Sequence, residues 1–408
     1  MLVRDDDARS RPATFFRVFL LLPHLVVFFL WGTVMYLILP VHWLIALIKG
    51  APDGSLSELY VRFLRYSLHV AAYGSLAAEP FPAFNGERGY PVDVDVPPPT
   101  PQNRWSMGFR AVLALPTYAF AGALGGTLMT SAGTSYLSYS AGLAIVAAFL
   151  AWFAILARGT MPPGLQDAIV WALGYTVQST AYFFLLTGAY PTSDPRAVPL
   201  RPRPRHPIRL VHEDEPRRHR LLVAFRLPLM TPHFAWLTLW GIVALLASVV
   251  AWLCGIVLGH VPAPLHRFLA AYVRYNAHAS AFLYLAGGPY PGFLGRAGSY
   301  PLDIEIDGPA PQGRWTSAFR WVLAIPALML AAAMSGILTV GSIGAWFAAL
   351  ATGRIPSGLH RALAYAVRYS AMAYAYALLV TGTYPHSGPS EAGPRTFLTA
   401  PEHPLATP

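Results

Sequence analysis

The sequence predicts an all-α integral membrane protein of four helical repeat units in two pseudo-symmetric halves. It should make about eight membrane crossings and carry short β segments in the inter-unit linkers. Three observations predict this. Hydrophobic residues make up 55% of the chain and charged residues only 12%, with mean hydropathy +0.45; soluble domains carry roughly 25% charged residues. Apolar runs of about 33 to 40 residues recur, longer than the roughly twenty that one span needs. A tryptophan, a glycine, a proline and a leucine close each run at fixed spacing: Trp43–Gly50–Pro52–Leu56, Trp152–Gly159–Pro162–Leu165, Trp252–Gly259–Pro262–Leu265 and Trp346–Gly353–Pro356–Leu359.

The elements follow in order. A polar N-terminal segment, 1–14, precedes more than thirty nearly uncharged residues. That stretch is too long for a signal-peptide core and reads as a retained anchor. The first membrane domain is 15–191, with units at 15–84 and 106–191. The linker 192–220 holds R-P-R-P-R-H-P and reads as unpacked. The second membrane domain is 221–385, with units at 221–293 and 317–385, and a flexible tail occupies 386–408. Unit two has about sixteen extra, loop-like residues around S-A-G-T-S-Y-L-S-Y-S. Seventeen residues after each signature leucine stands an aromatic: Tyr73, Tyr182, Phe282 and Tyr376.

The halves resemble one another more closely than the units within a half do. Y-P-V-D-V-D-V at 90–96 aligns with Y-P-L-D-I-E-I at 300–306, and both alternate with the period of a half-exposed strand. Asp93 and Asp95, and likewise Asp303 and Glu305, share a face that reads as solvated. The two strands are expected to pair into a small ribbon joining the halves.

Each first run is long for one upright helix and short for two. Either it crosses as one tilted helix, or it folds back at a mid-run glycine (Gly32, Gly125-Gly126, Gly241, Gly336) and the next helix lies in the interface. The second reading is preferred because the next helices carry arginines, which are costly at mid-membrane. Both readings put the termini and the central linker on one side. The basic linker makes that side the cytoplasmic face.

Charge restricts the function classes. The net charge is +10 and nearly all arginine, gathered at the ends of apolar runs and in one linker. That placement suits anionic lipid and excludes a nucleic-acid face. The single Cys254 excludes intramolecular disulfides and cysteine metal sites. The candidate lipid or anion contacts are Arg65, His69, Arg274, His278 and Arg368, on one stripe of the second helices, because guanidinium groups suit phosphate. Trp43, Trp152, Trp252 and Trp346 read as interface anchors. His24 and His233 read as packing histidines. With no phosphate loop, nucleophile elbow or metal-ligand spacing, the sequence predicts no cofactor, no metal site and no enzyme.

The L-P-H motif in an apolar run, the A-W-F-A-x-L-x-x-G-x-x-P-x-G-L signature, and R-Y followed by A-Y-x-x-L-x-T-G-x-Y-P resemble the membrane family known as domain of unknown function 4389. The resemblance covers most of 15–191 and 221–385, as two tandem copies. Unit one departs from it at A-P-D-G-S-L, and unit two lacks the arginine before Tyr175. It implies a multi-pass bacterial membrane protein of no established activity. The expected role is non-enzymatic, organising the membrane or binding lipid or protein partners, self-association included. The alternative is a transporter or channel for a small or anionic solute, since internal repeats are common in such folds.

Overall fold

The computed structural model describes residues 2–3, 8–126, 142–197, 207–212 and 218–389. In chain order the elements are β1 (Leu2–Val3), α1 (Arg11–Lys49), α2 (Gly54–Gly74), β2 (Val92–Asp93), α3 (Arg104–Gly108), α4 (Arg110–Gly125), α5 (Leu143–Arg158) and α6 (Pro163–Phe183). Then follow β3 (Ile208–His212), α7 (Arg220–Ala224), α8 (Arg226–Val257), α9 (Ala263–Leu283), β4 (Leu302–Ile306), α10 (Arg314–Ala318), α11 (Arg320–Thr352) and α12 (Ser357–Ala377).

The long apolar runs are continuous helices, which overturns the expected reversal at their mid-run glycines. Gly32, Gly241 and Gly336 lie inside α1, α8 and α11. Two of them admit a neighbouring ring instead of a turn. A Cβ on Gly32 would meet Phe63 at 3.5 Å, and one on Gly241 would meet the Tyr272 hydroxyl at 3.0 Å. Only unit two breaks, after Gly125, and the ends flanking the break touch, since a Cβ on Gly142 would collide with Gly126. The long helix of unit two is therefore interrupted by an insertion. The loop-like segment predicted there lies outside the described residues.

Local chemistry sets the helix ends. Ser10 caps α1 through its hydroxyl, and Gly50 closes it in the left-handed region (φ 75°), its N–H bonding the Ala46 carbonyl. Asp53 accepts from the N–H groups of Ser55 and Leu56 to start α2, so the unit-one departure from the proline turn is a capping substitution. α6, α9 and α12 start instead at Pro162, Pro262 and Pro356.

The helices form two layers. Among the long helices, α1 lies beside α5, and α4 and α5 lie beside α11. α11 meets α8 through stacked Trp252 and Trp321 (5.2 Å). Beneath them lie the 21-residue helices, α2 beside α6 and α12 beside α9, with Trp171 of α6 against Tyr365 of α12. The outer face of the long-helix layer is apolar throughout its length, with Phe29 71% and Leu37 73% exposed.

Within each half the units are antiparallel and clasp one another reciprocally. The Gly50 carbonyl accepts from Gln102 N–H at the start of unit two, and the Gly159 carbonyl accepts from Arg9 N–H at the start of unit one. Gly259 with Gln312, and Gly353 with Arg218, repeat the exchange. The signature loops of units one and two thus lie at opposite ends of the first half, not on a shared side as the hairpin reading required.

After α2 the chain runs back along that helix as non-helical backbone. Gly86 packs on the Arg62 carbonyl, Asp93 sits by His69, and Gln102 reaches Gly50. The second half does the same through Gly295, Asp303 and Gln312. The acidic strands do not pair with each other. β2 pairs antiparallel with β1, and β4 with β3. Each strand takes the segment ahead of its own half, because the return path holds it against its own second helix. The linker expected to be unpacked accordingly supplies β3. The tail beyond 389 lies outside the described residues.

Candidate functional site

The arginine–histidine stripe meets the strand carboxylates. On α2, Arg65 and His69 are one helical turn apart. His69 Nε2 lies 3.4 Å and Arg65 Nε 3.7 Å from Asp93 Oδ1, and Arg65 also donates to the Val94 carbonyl (3.2 Å). On α9, His278 Nε2 lies 2.7 Å and Arg274 Nε 3.6 Å from Asp303 Oδ1, and Arg274 donates to the Ile304 carbonyl (3.0 Å). Tyr90 stacks on His69, and Tyr300 on His278. Burial would push the Asp303 carboxyl up. The bonds it accepts from His278 and from the N–H groups of Gly298 and Ile304 outweigh that and hold it below the usual carboxylate range.

The residues expected to contact headgroups lie within the chain's own packing. Arg65, His69 and His278 are buried, Arg274 is half-buried, and all four face the chain's own carboxylates. Arg368, at the same position of α12, is buried with its guanidinium on the Gly388 carbonyl (2.6 Å) and over Tyr365. For Arg65 and Arg274 the carboxylate of the return strand offsets part of the cost of taking the guanidinium out of water. Of the acidic pairs read as solvated, Asp95 and Glu305 are exposed, whereas Asp93 and Asp303 are buried. The sequence offered one overlooked signal, since His and Asp are separated by almost the same distance in both halves, 24 and 25 residues.

A second set of residues was not predicted as a set. Arg17, Arg110, Arg226 and Arg320, at the starts of the long runs, are all buried. Their guanidinium carbons lie over Tyr73, Tyr182, Phe282 and Tyr376 at 4.3, 3.9, 4.3 and 4.2 Å. Each donates to carbonyls at the end of its second helix: Arg17 to Tyr73 and Ala78, Arg110 to Thr187, Arg226 to Phe282 and Gly287, Arg320 to Thr381. A cation is favourable at a helix C-terminus.

The signature tryptophans anchor unit to unit. Their indole N–H groups donate across each half: Trp43 to the Met107 carbonyl, Trp152 to Thr14, Trp252 to Ala318 and Trp346 to Val223. His24 and His233 pack as read, each bonded to a tyrosine (Tyr66 at 3.0 Å, Tyr275 at 2.6 Å) and stacked on Phe84 or Phe293.

Fold and site together define a mostly helical protein of long apolar helices, built from repeated hairpins whose buried ionic clusters fasten polar return segments to the second helices. Among the described residues three helices, α1, α8 and α11, are long and apolar enough to cross a bilayer. The family model described as Domain of unknown function (DUF4389) matches residues 11–85, 220–294 and 314–387, more than half of the chain, and the protein belongs to that family. The matches fall on units one, three and four, so the family's module is the single unit of about 75 residues, present three times by this measure. No curated protein and no solved structure matches.

Proposed function

We propose a non-enzymatic, membrane-organising protein whose long-helix layer lies lengthwise in the cytoplasmic leaflet of the cell membrane. All four units share this orientation, and the layer covers a patch of lipid. The observation that carries the reading is the path of the return segments. They run beside α2 and α9 over most of their length as irregular backbone, and they bear exposed ion pairs such as Arg88–Asp95. Lipid-exposed irregular backbone does not occur in hydrocarbon. Eight crossings would place these segments there, so the second helices and return segments are assigned to the aqueous side.

Two further features support this orientation. At 39 residues α1 is about 58 Å long, roughly twice a hydrocarbon core, whereas a helix layer of about 10–12 Å fits within one leaflet. Cations also stand at both ends of the long-helix layer, Lys49 and Arg104 at one end of α1 and Arg11 and Arg158 at the other. Crossing helices concentrate them on one side. The net charge of +10 favours anionic lipid around this rim.

The test places single cysteines at Ser10 and Ser55, exposed at opposite ends of α1, on a Cys254→Ser background. Membrane-impermeant maleimide should label neither in intact cells and both in inverted vesicles. Labelling of one from each side would establish a crossing and refute the in-plane reading.

A further inference from the structure

Between the first two units, α1 and α5 stand apart above a floor made by α2 and α6. The space between them is an apolar cavity of about 430 Å³, within the range of small-molecule sites. Val18, Leu22 and Leu25 line its α1 side and are also exposed on the outer apolar face, so the cavity opens there. The hydroxyls in its floor do not offer themselves to a ligand. Ser67, Ser75, Thr176 and Thr180 each donate to a carbonyl of their own helix, to Phe63, Ala71, Ala172 and Thr176 respectively. What they present to the space is carbon.

The second half builds the same place differently. Ser75, just past the end of α2, corresponds to Tyr284 just past α9, and Thr180 in α6 corresponds to Tyr374 in α12. Tyr374 stands near both Tyr284 and Tyr272, so aromatic rings occupy the corresponding floor. Small residues at these two positions, together with Gly74 where the second half has Leu283, set the first half apart.

We propose that this cavity binds a single hydrocarbon chain of a membrane lipid, drawn in from the leaflet between α1 and α5. The assignment rests on the reading above in one respect, that the mouth faces lipid. A chain is the occupant that fits, because the mouth is continuous with the lipid-facing surface and the lining is apolar carbon save for a single buried hydroxyl without a partner, that of Tyr118, too little to hold a charged head. Stabilising one lipid tail against the first half gives the covered patch a fixed lipid.

The test uses palmitic acid carrying a diazirine near its methyl end, photolysed with the full-length protein and mapped by peptide mass spectrometry. It is run both in bilayers and in detergent. The expected result is labelling of the cavity segments of α2 and α6 several-fold above the matching segments of α9 and α12. Ser75→Tyr with Thr180→Tyr should abolish that excess. The reverse pair, Tyr284→Ser with Tyr374→Thr, should create labelling in the second half, so the proposal stays testable if the first pair misfolds. Equal labelling of the two halves, unchanged by either pair, would mean ordinary surrounding lipid and overturn the site. Selective labelling in detergent alongside cysteine data showing a crossing would sustain the site and reject the in-plane orientation. Loss of selectivity in detergent as well as in bilayers would reject the site whatever the orientation.

Discussion

Each second helix ends on a leucine in the left-handed region: Leu76, Leu185, Leu285 and Leu379, with φ between 59° and 65°. Such a backbone costs of order 1–3 kcal/mol for a residue with a side chain. Two things offset it: the leucine is buried, and a guanidinium holds the carbonyls of the turn while covering the aromatic one turn back. Arg320→Lys should lower stability by about 2–3 kcal/mol, since an ammonium lacks the planar fork and the ring-stacking surface. Thermal unfolding in detergent, followed by tryptophan fluorescence, checks this; an unchanged midpoint would show that the turn holds without the fork. Both partners are visible in the sequence as separate regularities, a Phe-Arg pair at the start of each run (Phe16-Arg17, Phe109-Arg110, Phe225-Arg226 and Phe319-Arg320) and the aromatics seventeen residues after each leucine. Their meeting was not, because it depends on the second helix folding back along the first. Asp93 and Asp303 were hidden for a similar reason. Period-two alternation marks a face, and only the return path decides whether that face meets water or the stripe of α2 and α9.

At the scale of elements, helix ends were legible and helix continuity was not. The signature glycines and prolines are stop and start signals with a local mechanism: α1, α5 and α11 end on Gly50, Gly159 and Gly353, and α6, α9 and α12 begin on Pro162, Pro262 and Pro356. A mid-run glycine carries no such mechanism, since it serves a turn and a close helix approach equally well. Packing chose the latter at Gly32 and Gly241. The tryptophans read from sequence as interface or packing anchors, and their N–H groups tie antiparallel units together. Trp252→Phe removes the bond to the Ala318 carbonyl and trims the surface stacked on Trp321, so it should cost about 1–3 kcal/mol. Trp346→Phe, which removes the reciprocal bond to Val223, should cost a similar amount. The matching measurement is equilibrium unfolding of each variant and of the pair. No loss in either would mean that the clasp resides in the backbone bonds to Gly259 and Gly353 alone.

For the molecule as a whole, repetition was legible and the three family matches agree with it, while the apolar composition matches the three long apolar helices among the described residues. The direction of the helices relative to the bilayer was not legible, because hydropathy counts apolar residues without saying which side of a layered fold they occupy. In the folded chain the apolar residues line one broad face, and exposed ion pairs such as Arg62–Glu58 and Arg88–Asp95 lie along the opposite layer. That segregation runs across the helix axes and not along them, which is the central claim. Polarised infrared spectroscopy of the protein in aligned bilayers tests it most directly, since the main helical amide band is polarised close to the helix axis. In-plane helices predict a transition moment lying in the bilayer plane. A moment aligned with the bilayer normal would mean that the long helices cross and would contradict the account.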